Sequence, residues 1–264
     1  HMDMVCEKNS DVDFDFEHDA IRTVIDGDWV RAQGTTLGAD CGIGMAAALA
    51  AMVDDTIEHG ALEALFTVDE ETGLTGAFEL GEDMITGKYL INLDSEDEGE
   101  IFIGCAGGID TLATFRYEDE AAPANYAFYR ADVSDLKGGH SGDDIEKGRA
   151  NSNKIMARLL LLAAQSFDGR MSYFCGGNLR NAIPREAYTV FGVPAHLQKE
   201  FESAYKTFAD DIRAEFAVTE PNLKMSLNPM PAPETVLSAK SQFALVNALV
   251  GVPHGVLAMS HTLE

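Results

Sequence analysis

Acidic side chains follow two apolar runs in the first hundred residues of this sequence. Asp69, Glu70 and Glu71 come directly after "LEALFTV", and Asp94 comes directly after "KYLINL". In open α/β sheets ligands bind beyond the carboxyl ends of the strands, so these carboxylates are expected to converge on one crevice. Carboxylates at that density repel one another unless they are protonated or neutralised by a cation. The pattern therefore predicts a divalent metal site.

Two further parts of the sequence extend this site. Asp40 immediately precedes an alanine-rich helical segment, and His1 and Asp3 are two residues apart, so on a strand they share a face. The Glu70–Glu71 pair offers one ligand and one free general base, as a metallohydrolase requires. Each residue also has an ordinary explanation, since Asp40 can cap a helix, the glutamates can be solvated, and His-Met can be the remnant of a cleaved tag.

The segments that must position these residues follow an α/β pattern up to residue 107. The alanine-rich stretch 42–59 predicts a helix, and the apolar runs at 62–68 and 88–94, which follow it, predict buried strands. Strand, helix and strand with apolar strands are typical of a parallel sheet. Its "GIGMAA" also fits a dinucleotide-binding fingerprint, but it follows a polar turn rather than a strand, which disfavours that function.

Residues 108–264 show a different order of predicted elements. The sequence "NPMPAP" at 228–233 predicts a linker, and another helix begins after it. Before the linker, the pattern is strand, helix, strand, strand, helix, strand, which is the ferredoxin-like order. The predicted elements are a strand at 127–136, a helix at 147–165, strands at 171–175 and 186–193, a helix at 195–216 and a strand at 222–227.

The composition of the chain argues against two classes of partner, nucleic acids and membranes. The 264 residues carry 44 acidic and 19 basic side chains, a net charge of -25, which repels phosphate backbones and argues against a nucleic-acid partner. No apolar run approaches the roughly 20 residues that span a bilayer, so no membrane role is expected. The four cysteines show no pairing pattern, and reduced thiols in the cytoplasm fit that spacing best.

Several stretches, taken together and in this order, closely resemble one enzyme family. They are "HMDMV", "GTTLGADCGIGMA", "TVDEETGLTGA", "INLDSEDEGEIFIGCAGG", "KGGHSG" and "GGNLRNAIPREA". The family is that of the aminoacyl-histidine dipeptidases, also called peptidase D, Xaa-His dipeptidases or cytosol nonspecific dipeptidases. These are di-zinc metallopeptidases related to aminoacylase and carboxypeptidase G. The resemblance implies zinc-dependent hydrolysis of Xaa-His and other dipeptides in the cytoplasm.

The resemblance also implies a role for each residue of the acidic site. It makes His1 a zinc ligand, Asp3 the carboxylate that orients it, Asp40 the carboxylate shared by two zinc ions, Glu70 the general base, Glu71 a ligand of one zinc and Asp94 a ligand of the other. Mn²⁺ or Co²⁺ are alternatives to zinc. The family holds the peptide bond after the shared aspartate in cis, which here is the bond between Asp40 and Cys41.

Beyond residue 107 the resemblance implies a lid domain. His140 of "KGGHSG" is expected to polarise the scissile carbonyl, in some relatives from a partner subunit, and Asn181 is expected to contact substrate. Without the resemblance His140 would be taken for an ordinary loop histidine. Arg180 and Arg185 either bind the carboxylate of the peptide substrate or pair with the acidic surface. A homodimer through the lid is also expected.

The resemblance further implies that the chain is an internal fragment, truncated at both ends. We expect a partial catalytic domain at 1–107 and a lid at 108–264, with the ferredoxin-like unit at about 127–227 and then the start of a second lid unit. His254 and His261 do not match the family's last zinc ligand, so the second zinc site is expected to be incomplete. We therefore expect little or no dipeptidase activity from the isolated chain. The alternative is a non-catalytic lid, dimerisation and binding module with a vestigial metal cleft.

Overall fold

The structure is a computed structural model that describes residues 1–95, 98–259 and 261. It contains two compact units, His1–Gly107 and Gly108–Glu264. Helices and strands are both present, and every sheet in the described residues is antiparallel. Within the part of the chain that is described, no helix is both long and apolar enough to cross a membrane.

In the residues described, the first unit contains one hairpin and three helices. The hairpin turns at Gly27, whose positive φ of 61° suits glycine, and its two strands pair antiparallel. The elements are β1 (Thr23–Asp26), β2 (Trp29–Ala32), α1 (Ala39–Val53), α2 (Glu70–Gly73) and α3 (Thr75–Phe78).

The parallel sheet predicted for this unit is absent from the described residues, so that prediction is wrong. Neither segment 62–68 nor segment 88–94 forms a strand. A strand requires a ladder of hydrogen bonds to a neighbour, and parallel strands also require cover on both faces. Here the amide of Met2 donates to the carbonyl of Thr67 at 2.9 Å, and Leu90 and Ile91 are exposed. The apolar runs therefore do not specify the pairing that would make these segments strands.

The second unit is built around a four-stranded antiparallel sheet. Its strand order is β5-β6-β4-β7, so the first strand of the set in sequence lies inside the sheet. A separate two-stranded sheet pairs β3 with β8. The elements are β3 (Asp119–Ala121), β4 (Tyr126–Ser134), α4 (Ser152–Phe167), β5 (Arg170–Gly176), β6 (Ala187–Pro194), α5 (Gln198–Glu215), β7 (Lys224–Met230), β8 (Thr235–Leu237) and α6 (Ala239–Gly251).

One face of this sheet is covered by α4 and α5. Three aromatic rings from β4, β6 and α5 form the centre of the core: Tyr129 lies 6.2 Å from Phe191 and 5.8 Å from Phe201, and the latter two lie 5.4 Å apart edge to face. Phe201 and Ile212 lie on the apolar face of α5 and are fully buried, so this face of the helix packs into the core.

Two predicted boundaries shift for local reasons. Helix α4 begins after Asn151, because the Asn151 side chain accepts hydrogen bonds from the Asn153 and Lys154 amides and so caps it. Strand β7 continues through Asn228–Met230, the start of the predicted linker. Pro229 is tolerated there because β7 is the edge of the sheet, where a missing N–H need not leave a neighbouring carbonyl unpaired.

Candidate metal centre

Five predicted metal-site residues meet in the first unit. Their ligand atoms form two sets, in each of which the atoms lie within 4.8 Å of one another. One set is His1 with Asp40 and Asp94, and the other is His1 with Glu70 and Glu71. Both sets therefore use the same imidazole, and Glu70, Glu71 and Asp94, which follow the two apolar segments, do converge on it.

The His1 ring is held so that one nitrogen faces the carboxylates. Its Nδ1 lies 2.8 Å from the main-chain carbonyl oxygen of Asp3, an acceptor that requires the N–H on Nδ1, so Nε2 is the nitrogen available to a cation. Nε2 lies 3.2 Å from Asp40 Oδ1, 3.7 Å from Asp94 Oδ1 and 3.9 Å from Glu70 Oε2. The ring is 2% exposed. A buried imidazole in this tautomer is ready to ligate a cation.

Asp3 acts on the site through two different groups. Its carbonyl oxygen holds His1, whereas its carboxylate, 3.5 Å from the ring, accepts hydrogen bonds from the amides of Glu70 at 3.2 Å and Glu71 at 3.1 Å. Burial raises the pKa of Asp3, but these main-chain hydrogen bonds outweigh burial and hold the pKa below its ordinary value. The carboxylate thus fixes the first turn of α2.

Local backbone geometry directs that turn toward His1. Asp69 adopts a positive φ of 61° and accepts a hydrogen bond from the Thr72 hydroxyl. Gly76 packs against Val68 so closely that a Cβ would lie 2.5 Å from the Val68 carbonyl oxygen. Asp69 was expected among the converging carboxylates, but neither ligand set includes it and its role is in the backbone turn. The close packing of Gly76 was not predicted.

Helix α1 brings Asp40 beside Asp94. The Asp40–Cys41 peptide bond is cis, as the resemblance implied. A Cβ on Gly44 would lie 2.7 Å from Cys41 Sγ and 3.1 Å from the Leu93 carbonyl oxygen, so only glycine lets the helix approach the segment that ends in Asp94. Gly44, the second glycine of the rejected dinucleotide motif, therefore has a packing role.

The carboxylates shift one another's pKa values. Burial and then the neighbouring Asp40 raise the pKa of Asp94. Burial, followed by Asp94 and Asp40, raises the pKa of Glu70, and burial, followed by Glu70, raises the pKa of Glu71. The Cys41 thiol, a neighbour that the sequence did not point to, has its pKa raised by burial and then by Asp94. A bound cation would relieve this repulsion.

The donor set suits a divalent cation of the zinc type. One imidazole nitrogen and two carboxylate oxygens are ligands that zinc, manganese and cobalt accept. Three protein ligands with a further position open to solvent are typical of catalytic rather than structural zinc sites. The residues present therefore fit the metal that the resemblance implied.

His140 lies in the second unit, on the loop between β4 and α4. Its Nδ1 accepts hydrogen bonds from the amides of Gly142 at 3.1 Å and Asp143 at 3.2 Å, which places the ring proton on the half-exposed Nε2. The Ser141 amide donates to the Asn181 carbonyl oxygen at 2.8 Å. His140 and Asn181 therefore lie on adjacent segments, with a donor presented to solvent.

The two arginines have protein partners. Arg180 forms an ion pair with Asp110 at 3.1 Å. Arg185 donates from Nε to the Leu136 carbonyl oxygen at 2.9 Å, and its aliphatic stem covers Gly138, where a Cβ would lie 2.3 Å away. Arg185 thus supports the loop that carries His140, and Arg180 is paired at the surface.

A family model for peptidase family M20/M25/M40 matches residues 1–230, and the chain belongs to that family. Peptidases of this family are generally metal-dependent, in accord with the donor set around His1.

Named relatives are dipeptidases. The chain is 44% identical over 260 residues to the cytosol non-specific dipeptidase of Escherichia coli (strain K12), covering 98% of this chain and 54% of that protein. It is also similar to the crystal structure of aminoacylhistidine dipeptidase from Vibrio alginolyticus, with a TM-score of 0.65 and 44% identity, covering 99% of this chain and 54% of that one. The uncharacterized protein YqjE of Bacillus subtilis (strain 168) is 38% identical over 108 residues, covering 39% of this chain and 26% of that protein. The chain spans about half the length of the two dipeptidases.

Proposed function

We propose that this chain carries the metal-binding and general-base residues of a dipeptidase that hydrolyses Xaa-His and other dipeptides. The observation that carries the proposal is the convergence of His1, Asp40 and Asp94 around one space, with Glu70 beside them and outside that ligand set. The names of the 44% identical relatives support a dipeptide substrate, and that of the Escherichia coli relative supports the cytosol as the location.

His1, Asp40 and Asp94 would hold the first cation, which we take to be zinc. A bound divalent cation supplies a Lewis acid that lowers the pKa of water and polarises a carbonyl. Glu71 would be a ligand of a second zinc shared through Asp40, as in the di-zinc family. Because both ligand sets draw on His1, we propose that this 264-residue chain loads one metal ion at a time.

Glu70 is the residue suited to move the proton. Its carboxylate oxygen lies 3.9 Å from His1 Nε2, and its main chain is fixed by Asp3. Burial and the neighbouring carboxylates raise its pKa, which makes the carboxylate a stronger base than a solvated glutamate. Glu70 would accept a proton from the attacking water and deliver it to the departing amine.

We propose that the second unit is the ferredoxin-like lid. His140 would donate its Nε2–H to the scissile carbonyl, and Asn181 would contact the peptide. Arg180 and Arg185 remain candidates for the substrate carboxylate, with Arg185 the weaker because its Nε already binds Leu136. A homodimer through this unit is part of the same proposal.

The alternative is a non-catalytic lid, dimerisation and binding module with a vestigial metal cleft. What favours a surviving site is the preserved His1 tautomer, because a vestigial cleft has no reason to keep one nitrogen bonded and the other facing three carboxylates. A pure module predicts that zinc binds weakly and that replacing Asp40 leaves zinc affinity unchanged.

The test is release of histidine from Gly-His by the purified chain with and without zinc. We expect little turnover from the isolated chain, since one imidazole serves both ligand sets. Any turnover that is present should stop when the metal is chelated. It should also fall on the order of 10²- to 10⁴-fold in Glu70→Gln, because glutamine has the shape of the glutamate side chain but cannot act as a base. Glu63→Gln, a carboxylate that binds Thr86 away from the site, is the matched control. Release that is unchanged by chelation or in Glu70→Gln would contradict the proposal.

A further inference from the structure

Glu220 is a buried carboxylate that the proposed chemistry does not use. Its residue is 3% exposed, and among the described residues it is the one charged residue that is buried. It lies on the connection between α5 and β7, where its own amide donates to the Phe216 carbonyl and its carbonyl accepts from the Leu223 amide. A carboxylate is rarely placed in such a position unless its charge is satisfied by hydrogen bonds.

Both oxygens of Glu220 bind the main chain of one loop. Oε2 accepts from the Lys137 amide at 2.8 Å, and Oε1 accepts from the Ala150 amide at 3.0 Å. These two amides lie at the two ends of the segment 138–149, which contains His140. The carboxylate of Glu220 is 83 residues from Lys137 and 70 residues from Ala150 in sequence, and it joins the two ends of the loop.

Further contacts within the loop connect its joined ends to His140. Arg149, next to Ala150, donates to the Gly138 carbonyl at 2.6 Å and pairs with Asp144 at 3.0 Å. Asp144 in turn accepts from the His140 amide at 2.8 Å. A Cβ on Gly139 would lie 2.1 Å from Arg149 Nη1, so the loop has no spare room in which to rearrange.

We propose that Glu220 is a positioning residue for His140. By joining the two ends of the loop it keeps the Gly142 and Asp143 amides on Nδ1, and thereby presents the Nε2–H of His140 as a donor. The consequence for catalysis rests on the role of His140 proposed above, whereas the effect on the loop does not.

Glu220→Gln is the informative substitution, because a carboxamide has one acceptor oxygen and its NH₂ group would face an amide donor. Glu202→Gln is the matched control: Glu202 also accepts two hydrogen bonds, from Tyr129 and Gln198, but it does not contact the loop. Hydrogen exchange by NMR on the whole chain should show the 137–150 amides exchanging about tenfold faster or more in Glu220→Gln, with β4 and β6 unchanged. The ¹⁵N shifts of the His140 ring should change from a pure Nε2–H tautomer to a mixture.

A second readout separates positioning from general stability. In any assay that detects turnover, Glu220→Gln should lower kcat with little change in KM, and the double variant with His140→Ala should be no slower than His140→Ala alone. Equal turnover of His140→Ala and the unmodified chain would refute the role of His140 and leave the loop results standing.

Three results would overturn the inference itself. One is unchanged loop exchange and an unchanged His140 tautomer in Glu220→Gln. Another is the same loop change in Glu202→Gln. If Glu220→Gln does not fold, exchange of the Lys137 and Ala150 amides in the unmodified chain tests the inference instead. Rapid exchange of these amides would show that the two hydrogen bonds do not hold the loop, and slow exchange would support the inference.

Discussion

Replacing Asp3 by alanine tests how the general base is held. The substitution removes a carboxylate that accepts the Glu70 and Glu71 amides, but it keeps the Asp3 carbonyl oxygen that binds His1. We expect the first turn of α2 to open more often while the His1 ring stays in place. The perturbation thus separates the two roles of Asp3.

The size of the effect follows from the two hydrogen bonds. A hydrogen bond to a charged group contributes about 1.5 to 3 kcal/mol when it is shielded from water. The Asp3 side chain is 28% exposed, so water replaces part of each bond, and roughly 1 kcal/mol for each is a fair value. The sum of about 2 kcal/mol corresponds to about a 30-fold change in a local opening equilibrium.

Hydrogen exchange at the Glu70 and Glu71 amides measures that opening directly. At pH 6 we expect exchange about 30-fold faster in Asp3→Ala. The pKa of Asp3 is lowered in the folded state, so the stabilisation is fully present above the ordinary value of 3.8 and is lost as the pH falls through the lowered pKa. The difference from the unmodified chain should therefore vanish at the acid end of the titration.

Asp28→Ala, which removes an exposed carboxylate from the β1–β2 turn, controls for the change of charge. It should leave the Glu70 and Glu71 amides unaffected. Equal exchange in Asp3→Ala and the unmodified chain at pH 6 would refute the assigned contact. So would a difference that stays undiminished as the pH falls through the lowered pKa of Asp3, because the lost bonds could then not belong to an ionised carboxylate.

Three further substitutions probe the packing that supports the two units. Gly44→Ala should weaken zinc binding by about tenfold in a calorimetric titration, because its Cβ meets Cys41 and the main chain before Asp94, whereas Gly42→Ala, which faces open space, should not. Tyr129→Phe removes the donor to Glu202 and should lower the free energy of unfolding of the second unit, measured with urea, by about 1 to 2 kcal/mol. Phe191→Ala should cost about 3 to 5 kcal/mol in the same measurement, because the side chain is fully buried among aromatic rings.

The second unit was largely predictable because its signals are local. The apolar residues of α5 repeat at helical spacing, and buried positions alternate with less buried ones over 129–134 in β4 and 187–190 in β6. The pairing of β3 with β8 was not predictable, since "DEA" and "TVL" are three residues each and lie more than a hundred residues apart. Long-range pairing of such short segments leaves no periodic signal.

The candidate site was also predictable only in part. Residue types and spacing predicted that Asp40, Glu70, Glu71 and Asp94 converge, and the family resemblance added His1. The structure brings these five residues together. What the sequence could not specify is which atom of a residue makes a contact. The carbonyl oxygen of Asp3 rather than its carboxylate holds the ring, and the contacts of Glu220 with the His140 loop depend on tertiary geometry alone.

A zinc titration by calorimetry tests the central claim most directly, namely that His1, Asp40 and Asp94 form a working metal site. The unmodified chain should bind one equivalent of zinc tightly, and Asp40→Asn should weaken binding on the order of 100-fold or more, with Asp28→Asn as the control. Absence of tight binding, or binding that is unchanged in Asp40→Asn, would contradict the claim and favour the non-catalytic module.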